Sequence, residues 1–230
     1  MSGDIVRNLQ DVRERMKAAG IRSSTPGKPV VLVAVSKNAG MDAVRTLIQA
    51  GHRDFGENRT REFGLKHEAF GEEARFHFIG HLQTNKAREV VGKAALIHSV
   101  DSLRLLEEIQ KLAKGMGKVQ NVLLQVDISG EDSKFGADKK EILEMIKHNE
   151  SNGNVRIKGL MTMAPHTENP GDVRWVFREL GHFYVDIARK SFYNTCMEYA
   201  SMGMSNDFEV AIEEGSSMVR VGSSIFGHHS

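Results

Sequence analysis

The chain has 230 residues, 40% of them hydrophobic and 27% charged, the profile of an ordinary folded globular protein. Thirty-one Lys and Arg against thirty Asp and Glu leave a formal charge of +1. That balance argues against nucleic-acid binding through a broad basic face, while leaving room for a local basic patch.

The single cysteine, Cys196, excludes an intramolecular disulfide framework and reads as a small buried hydrophobe. The opening MSGDIVRNLQDVRERMKAAG is charged throughout and lacks the apolar stretch of a secretory signal. No apolar run approaches the roughly eighteen residues of a membrane span, so no membrane is expected and the reading is cytoplasmic. The closing Gly227–Ser230 is too short to read as a tag or a metal site.

In chain order, Ile5, Leu9, Val12 and Met16 recur at three- and four-residue spacing, which predicts an amphipathic helix over 4–19. A loop over 23–29 leads to the continuously apolar run 30–35, suited to a strand covered on both faces. Helix and strand then alternate. Strands are predicted over 54–57, 75–79, 96–100, 122–126, 157–163, 198–202 and 218–221. Helices are predicted between them over 41–50, 58–69, 84–91, 102–113, 138–147, 170–190 and 206–214. Eight strands with a helix between each consecutive pair predict an α/β fold, a single (β/α)8 TIM barrel with an extra N-terminal helix. An open doubly wound sheet is the alternative. With no linker-like break, residues 1–230 read as one domain.

In such a barrel chemistry belongs at the C-terminal ends of the strands. There the sequence places Ser36-Lys37, Glu57-Asn58, Gly80-His81, Asp101, Asp127–Ser129, Met161–Met163, Ser201–Met204 and Arg220–Ser224. Lys37 follows the most hydrophobic strand. At an apolar rim its ammonium is disfavoured, and a neutral amine suits Schiff-base chemistry; the alternative is a lysine snorkelling to solvent. Ser201–Asp207 and Val221–Ser224 could form a phosphate cup where barrels often carry one, or could be ordinary capped turns. Arg220, between apolar neighbours, is expected to be buried and to need a partner. That partner is either a ligand's phosphate, carboxylate or ring nitrogen, or a structural carboxylate such as Glu213. His77 and His81 lack zinc spacing on a strand, and no metal is expected. Met161, Met163 and Met202–Met204 read as core and pocket wall. Arg59, Arg61, Lys66, Lys86 and Arg88 read as solvated helix faces.

Several stretches resemble the pyridoxal phosphate homeostasis protein family. They are Ala34–Lys37, Phe55–Asn58, His77–Lys86, Gly159–Met163, Ser201–Phe208 and Val219–Gly227, in order over about residues 4–227. The resemblance implies a barrel like the N-terminal domain of alanine racemase that binds pyridoxal 5′-phosphate (PLP). It implies a Schiff base on Lys37, Arg220 facing the pyridine nitrogen, Ser201, Gly222 and Ser223 on the phosphate, and Asn58 beside the cofactor. It further implies a role in intracellular vitamin B6 and amino-acid homeostasis with no established turnover; a monomer with apo PLP-dependent enzymes as partners is expected.

The alternative is a PLP-dependent amino-acid enzyme such as a racemase, and a third reading is a cofactor-free lysine aldolase. A racemase needs acid/base groups on both faces of Cα, and alanine racemases take a tyrosine from a second domain. The barrel uses the whole 230 residues, and Tyr184 and Tyr193 lie in or after the long helix, so the expectation is no enzyme. The sequence departs from the family after Lys37 (Asn38-Ala39-Gly40) and after Asn58 (Arg59-Thr60-Arg61), both at the pocket mouth.

Overall fold

In the computed structural model, residues 2–25, 27–130 and 135–227 are described, so His228–Ser230 of the closing stretch lie outside them. The apolar run forms β1 (Val31–Val35). The other strands are β2 (Asp54–Glu57), β3 (Arg75–Phe78), β4 (Leu96–Val100), β5 (Gln120–Gln125), β6 (Val155–Met161), β7 (Thr195–Met204) and β8 (Met218–Val221). Each pairs with the next, and β8 returns parallel to β1 with Val33 opposite Arg220. The sheet is therefore a closed barrel, and the open-sheet alternative is excluded.

The helices are α1 (Ser2–Ile21), α2 (Met41–Gln49), α3 (Thr60–Phe70), α4 (Leu103–Gly115), α5 (Lys139–Asn149), α6 (Arg174–Ala188), α7 (Phe208–Glu213) and α8 (Ser223–Phe226). The extra helix α1 buries Leu9, Val12 and Met16, and Asn8 Nδ2 donates to the Ile225 carbonyl at 3.1 Å. One expected helix is different. The β3–β4 crossover is a 3-10 helix, Thr84–Glu89, whose one buried residue is Ala87. With so little apolar surface to anchor it, the tighter and shorter helix is sufficient. Among the described residues no helix is long and apolar enough to cross a membrane.

Alternation along the strands separates two layers. Outward side chains such as Phe55, Phe76 and Phe78 pack beneath the helices, and inward ones (Val33, Leu96, Leu123, Met161 and Met218) fill the barrel. Met161 and Met202 are core as expected, while Met204 is exposed. Cys196 is a correction, because it is exposed. Strand β7 pairs with β6 from Thr195 onward but meets β8 only from Ser201. Its first residues thus lie outside the fully covered sheet.

Candidate functional site

Lys37 stands at the corner of a tight turn. The Ala39 N–H donates to the Ser36 carbonyl at 2.9 Å, and Asn38 adopts φ 64°. Asparagine tolerates that left-handed conformation far better than a β-branched residue. Lys37 is exposed at the rim rather than half-withdrawn into it.

Beneath that turn lies a charged pair that the sequence reading missed. Lys66 is 4% exposed and Glu57 is fully buried, which corrects the solvated reading of Lys66. Lys66 follows Phe63 by three residues and precedes Phe70 by four, and both phenylalanines are buried. The helical period therefore turns Lys66 inward, and that spacing was the signal available. Lys66 Nζ donates to Glu57 Oε1 at 2.5 Å and to the Ser36 carbonyl at 2.6 Å. Ser36 Oγ donates to the same carboxylate oxygen at 2.6 Å. The pair thus clamps the backbone immediately before Lys37. Arg59, Arg61, Lys86 and Arg88 are exposed as expected.

Arg220 is 3% exposed, inside the barrel. It donates through Nη1 to Ser201 Oγ at 2.5 Å and through Nη2 to the Thr162 carbonyl at 2.9 Å. Burial lowers its pKa to about 10, with Asp207 opposing the shift, so it stays a cation at neutral pH. Its structural alternative is excluded: Glu213 pairs with Arg22 and Arg174 instead, at 2.7 and 2.6 Å. No carboxylate lies within ion-pair distance of Arg220 among the described residues.

From Arg220 a row of polar groups crosses the interior. Ser201 Oγ lies 3.1 Å from His98 Nδ1, and His98 Nε2 lies 3.0 Å from His77 Nδ1. His77 Nε2 is 3.1 Å from Asp54 Oδ1, and Arg75 grips both Asp54 oxygens at 2.7 and 2.6 Å. Burial first, then the charges of His77 and Arg220, hold the His98 pKa well below its ordinary value. Burial alone would raise the Asp54 pKa, but hydrogen bonds from His77 and Arg75 pull it below the usual carboxylate range. A single direction of donation serves the row: Arg220 to Ser201, Ser201 to His98, His98 to His77, and His77 to Asp54.

The remaining expected residues gather at the strand ends. A Cβ on Gly222 would lie 3.2 Å from the Val35 Cβ and carbonyl oxygen, two residues before Lys37. The Gly222 N–H donates to Ser205 Oγ at 3.1 Å, joining the β7 and β8 loops. The hydroxyl at this turn is therefore Ser205's, whereas the Ser201 hydroxyl is engaged by Arg220. Ser205 lies inside the motif read from sequence, but the direction of its side chain does not show there. Asn58 is exposed at the end of β2. Gly80, following β3, passes so close that a Cβ there would lie 2.2 Å from the Asn58 carbonyl oxygen, so glycine alone permits that approach. The mouth also carries His81, stacked on Phe135 with ring centroids 3.7 Å apart and 3.1 Å from Asp101. No group of three or more metal-ligating side chains gathers among the described residues.

A lysine in the turn after β1, an arginine within β8 and Gly-Ser turns above them define a barrel of the alanine racemase N-terminal kind. The family model described as alanine racemase, N-terminal domain, matches residues 5–230. The chain belongs to the pyridoxal phosphate homeostasis protein family. It is 41% identical over 220 residues to the protein of that name from Aquifex aeolicus, covering 95% of this chain and 96% of that one. The structure of PipY from Synechococcus elongatus with PLP bound matches at TM-score 0.84 and 31% identity, over 97% of this chain and all of that one. Alanine racemase from Bartonella henselae shares the fold at TM-score 0.68 and 19% identity, over 99% of this chain and 61% of that one.

Proposed function

We propose that this chain binds PLP covalently through Lys37 and serves vitamin B6 and amino-acid homeostasis by holding the cofactor rather than by turning over a substrate. The observation that carries the reading is Lys37 at the C-terminal end of β1, flanked by β8 with its buried Arg220 and its Gly222–Ser224 turn.

The donor set fits the group. Arg220 is a buried cation that meets no carboxylate among the described residues, suited to donate to a ring nitrogen. Gly222, Ser223 and the Ser205 hydroxyl supply donors for a phosphate, with Asn58 at the side. Ser201 acts through Arg220, fixing its direction, and not on the phosphate itself. PLP supplies an aldehyde that an amine can capture reversibly. A guanidinium cannot take up the ring's proton or hand one over, so the ring nitrogen stays unprotonated and draws electrons weakly. That chemistry favours storage over racemisation.

In the same reading residues 1–230 act as one domain, as a cytoplasmic monomer, with apo PLP-dependent enzymes as recipients. The test is spectroscopic. Protein mixed with PLP should show a visible absorbance band that Lys37→Ala loses, and a wild-type protein that stays colourless with added PLP would overturn the proposal. Amino-acid racemisation at about 1–1000 per second would favour the enzyme instead.

A further inference from the structure

A cavity of about 880 Å³ opens at the end of the barrel opposite Lys37. Five cations line it: Arg13 and Lys17 from α1, Lys28 before β1, Arg53 before β2, and Arg75 at the start of β3. The one carboxylate in the wall, Asp54, is already held by Arg75 and His77. Lys17 and Lys28 are exposed, and their ammonium groups have no ion-pair or hydrogen-bond partner among the described residues. Arg13 lies 3.5 Å from His52 Nδ1, and Arg53 donates to the carbonyls of Ile48 and His52, so neither meets an acid.

The whole chain carries only +1, so this concentration of positive charge is local. Cations gathered in a concave, partly apolar cleft focus their field, and an anion relieves their mutual repulsion. Burial lowers the His52 pKa to about 4, and the charges of Arg13 and Arg53 act in the same direction against the hydrogen bond and charge of Asp54. Met16, Ile21 and Val31 add apolar wall, and the volume lies within the range of about 300–1,000 Å³ of small-molecule sites.

We propose that this cleft is a second ligand site, separate from the Lys37 end, for a small organic phosphate of nucleotide size: its phosphates on the five cations and its uncharged body on the apolar wall. The site opens onto Arg75, which grips the far end of the row reaching Arg220. An anion engaging Arg75 therefore bears on Asp54 and, through the polarised hydrogen bonds, on the other end of the barrel.

The test is calorimetric titration of this chain, with and without prior addition of PLP, with ADP as the probe. ADP should bind, and the double variant Lys17→Glu/Lys28→Glu should bind it at least about tenfold more weakly with an unchanged melting temperature. Adenosine should bind at least about tenfold more weakly than ADP. Absence of binding, equal affinity of the double variant, or preference for a short DNA strand over ADP would each overturn the proposal. Because these variants lie at the opposite end from Lys37, this result stands or falls independently of PLP attachment.

Discussion

The four residues of β2 supply a carboxylate to each of two buried polar assemblies that are built in opposite ways. Glu57 points outward under α3 and touches its counter-ion Lys66 directly. Asp54, held at the barrel rim by the largely exposed Arg75, starts a row inside the barrel, and the buried cation at the far end of that row, Arg220, is reached only through two histidines and a serine. In the outer assembly charge meets charge over one contact, and Glu57 Oε2 has no hydrogen-bond partner among the described residues. In the inner one each internal polar atom is matched to a neighbour. Contact pairs fix a backbone in place, whereas rows of neutral groups hold two charges apart and orient them. The outer assembly fixes the turn that carries Lys37, and the inner one aims Arg220.

The largest effect should come from breaking the outer pair. Lys66→Met leaves Glu57 buried and uncompensated, which is expected to cost about 3–5 kcal/mol in urea unfolding. Adding Glu57→Gln should recover much of that loss, because the uncompensated charge is then gone. A Lys66→Met loss below about 1 kcal/mol, the range of an exposed pair, would erase the distinction drawn between the two assemblies.

Neither assembly was read from the sequence as an assembly, though its members were in view. The apolar run 30–35, the alternation of strands and helices, and Lys37, Asn58 and Gly222 at strand ends were legible because each is a local pattern. Lys66 was misread because a lysine in a run of charges suggests solvent, and only the Phe63 and Phe70 spacing contradicts that. His77 and His98 meet because adjacent strands bring their inward positions together, and register is not a local property. A sequence leaves open whether the Ser201 hydroxyl points to the strand end or into the barrel, and the fold turns it toward Arg220 and His98. Cys196 was misread because a strand's burial depends on where its neighbours begin.

Acid should distinguish the inner row from the outer pair. A histidine whose folded pKa is depressed contributes stability that is complete above its unfolded pKa, about 6.5, and is lost as pH falls toward the folded value. His98 behaves in this way. So does His52, two residues before β2, between its ordinary value and about 4, a loss of about 3 kcal/mol over that window. Asp54, also depressed, adds its own loss only once the pH falls below the ordinary carboxylate value of about 4. Urea midpoints should therefore fall steadily from pH 7 to pH 5, and His98→Gln should flatten part of the slope. A wild-type profile level across that range would mean the folded row accepts protons as readily as the unfolded chain does.

The smallest effect concerns the joint of the row. Ser201→Ala removes the acceptor of the Arg220 Nη1 bond and the donor available to His98 Nδ1. Unpaired buried groups of this kind cost about 1–3 kcal/mol, and Arg220 keeps its Thr162 contact, so the barrel should stay folded. The informative reading is PLP affinity. If Ser201 only aims Arg220, the loss should stay within about tenfold, the equivalent of one weakened hydrogen bond, and Arg220→Ala should cost more. If instead Ser201 holds the phosphate directly, its removal should match the loss caused by Ser205→Ala, and the serine would belong to the strand-end turn. The ratio of those two losses therefore decides whether the inner row ends at Arg220 or continues to the cofactor.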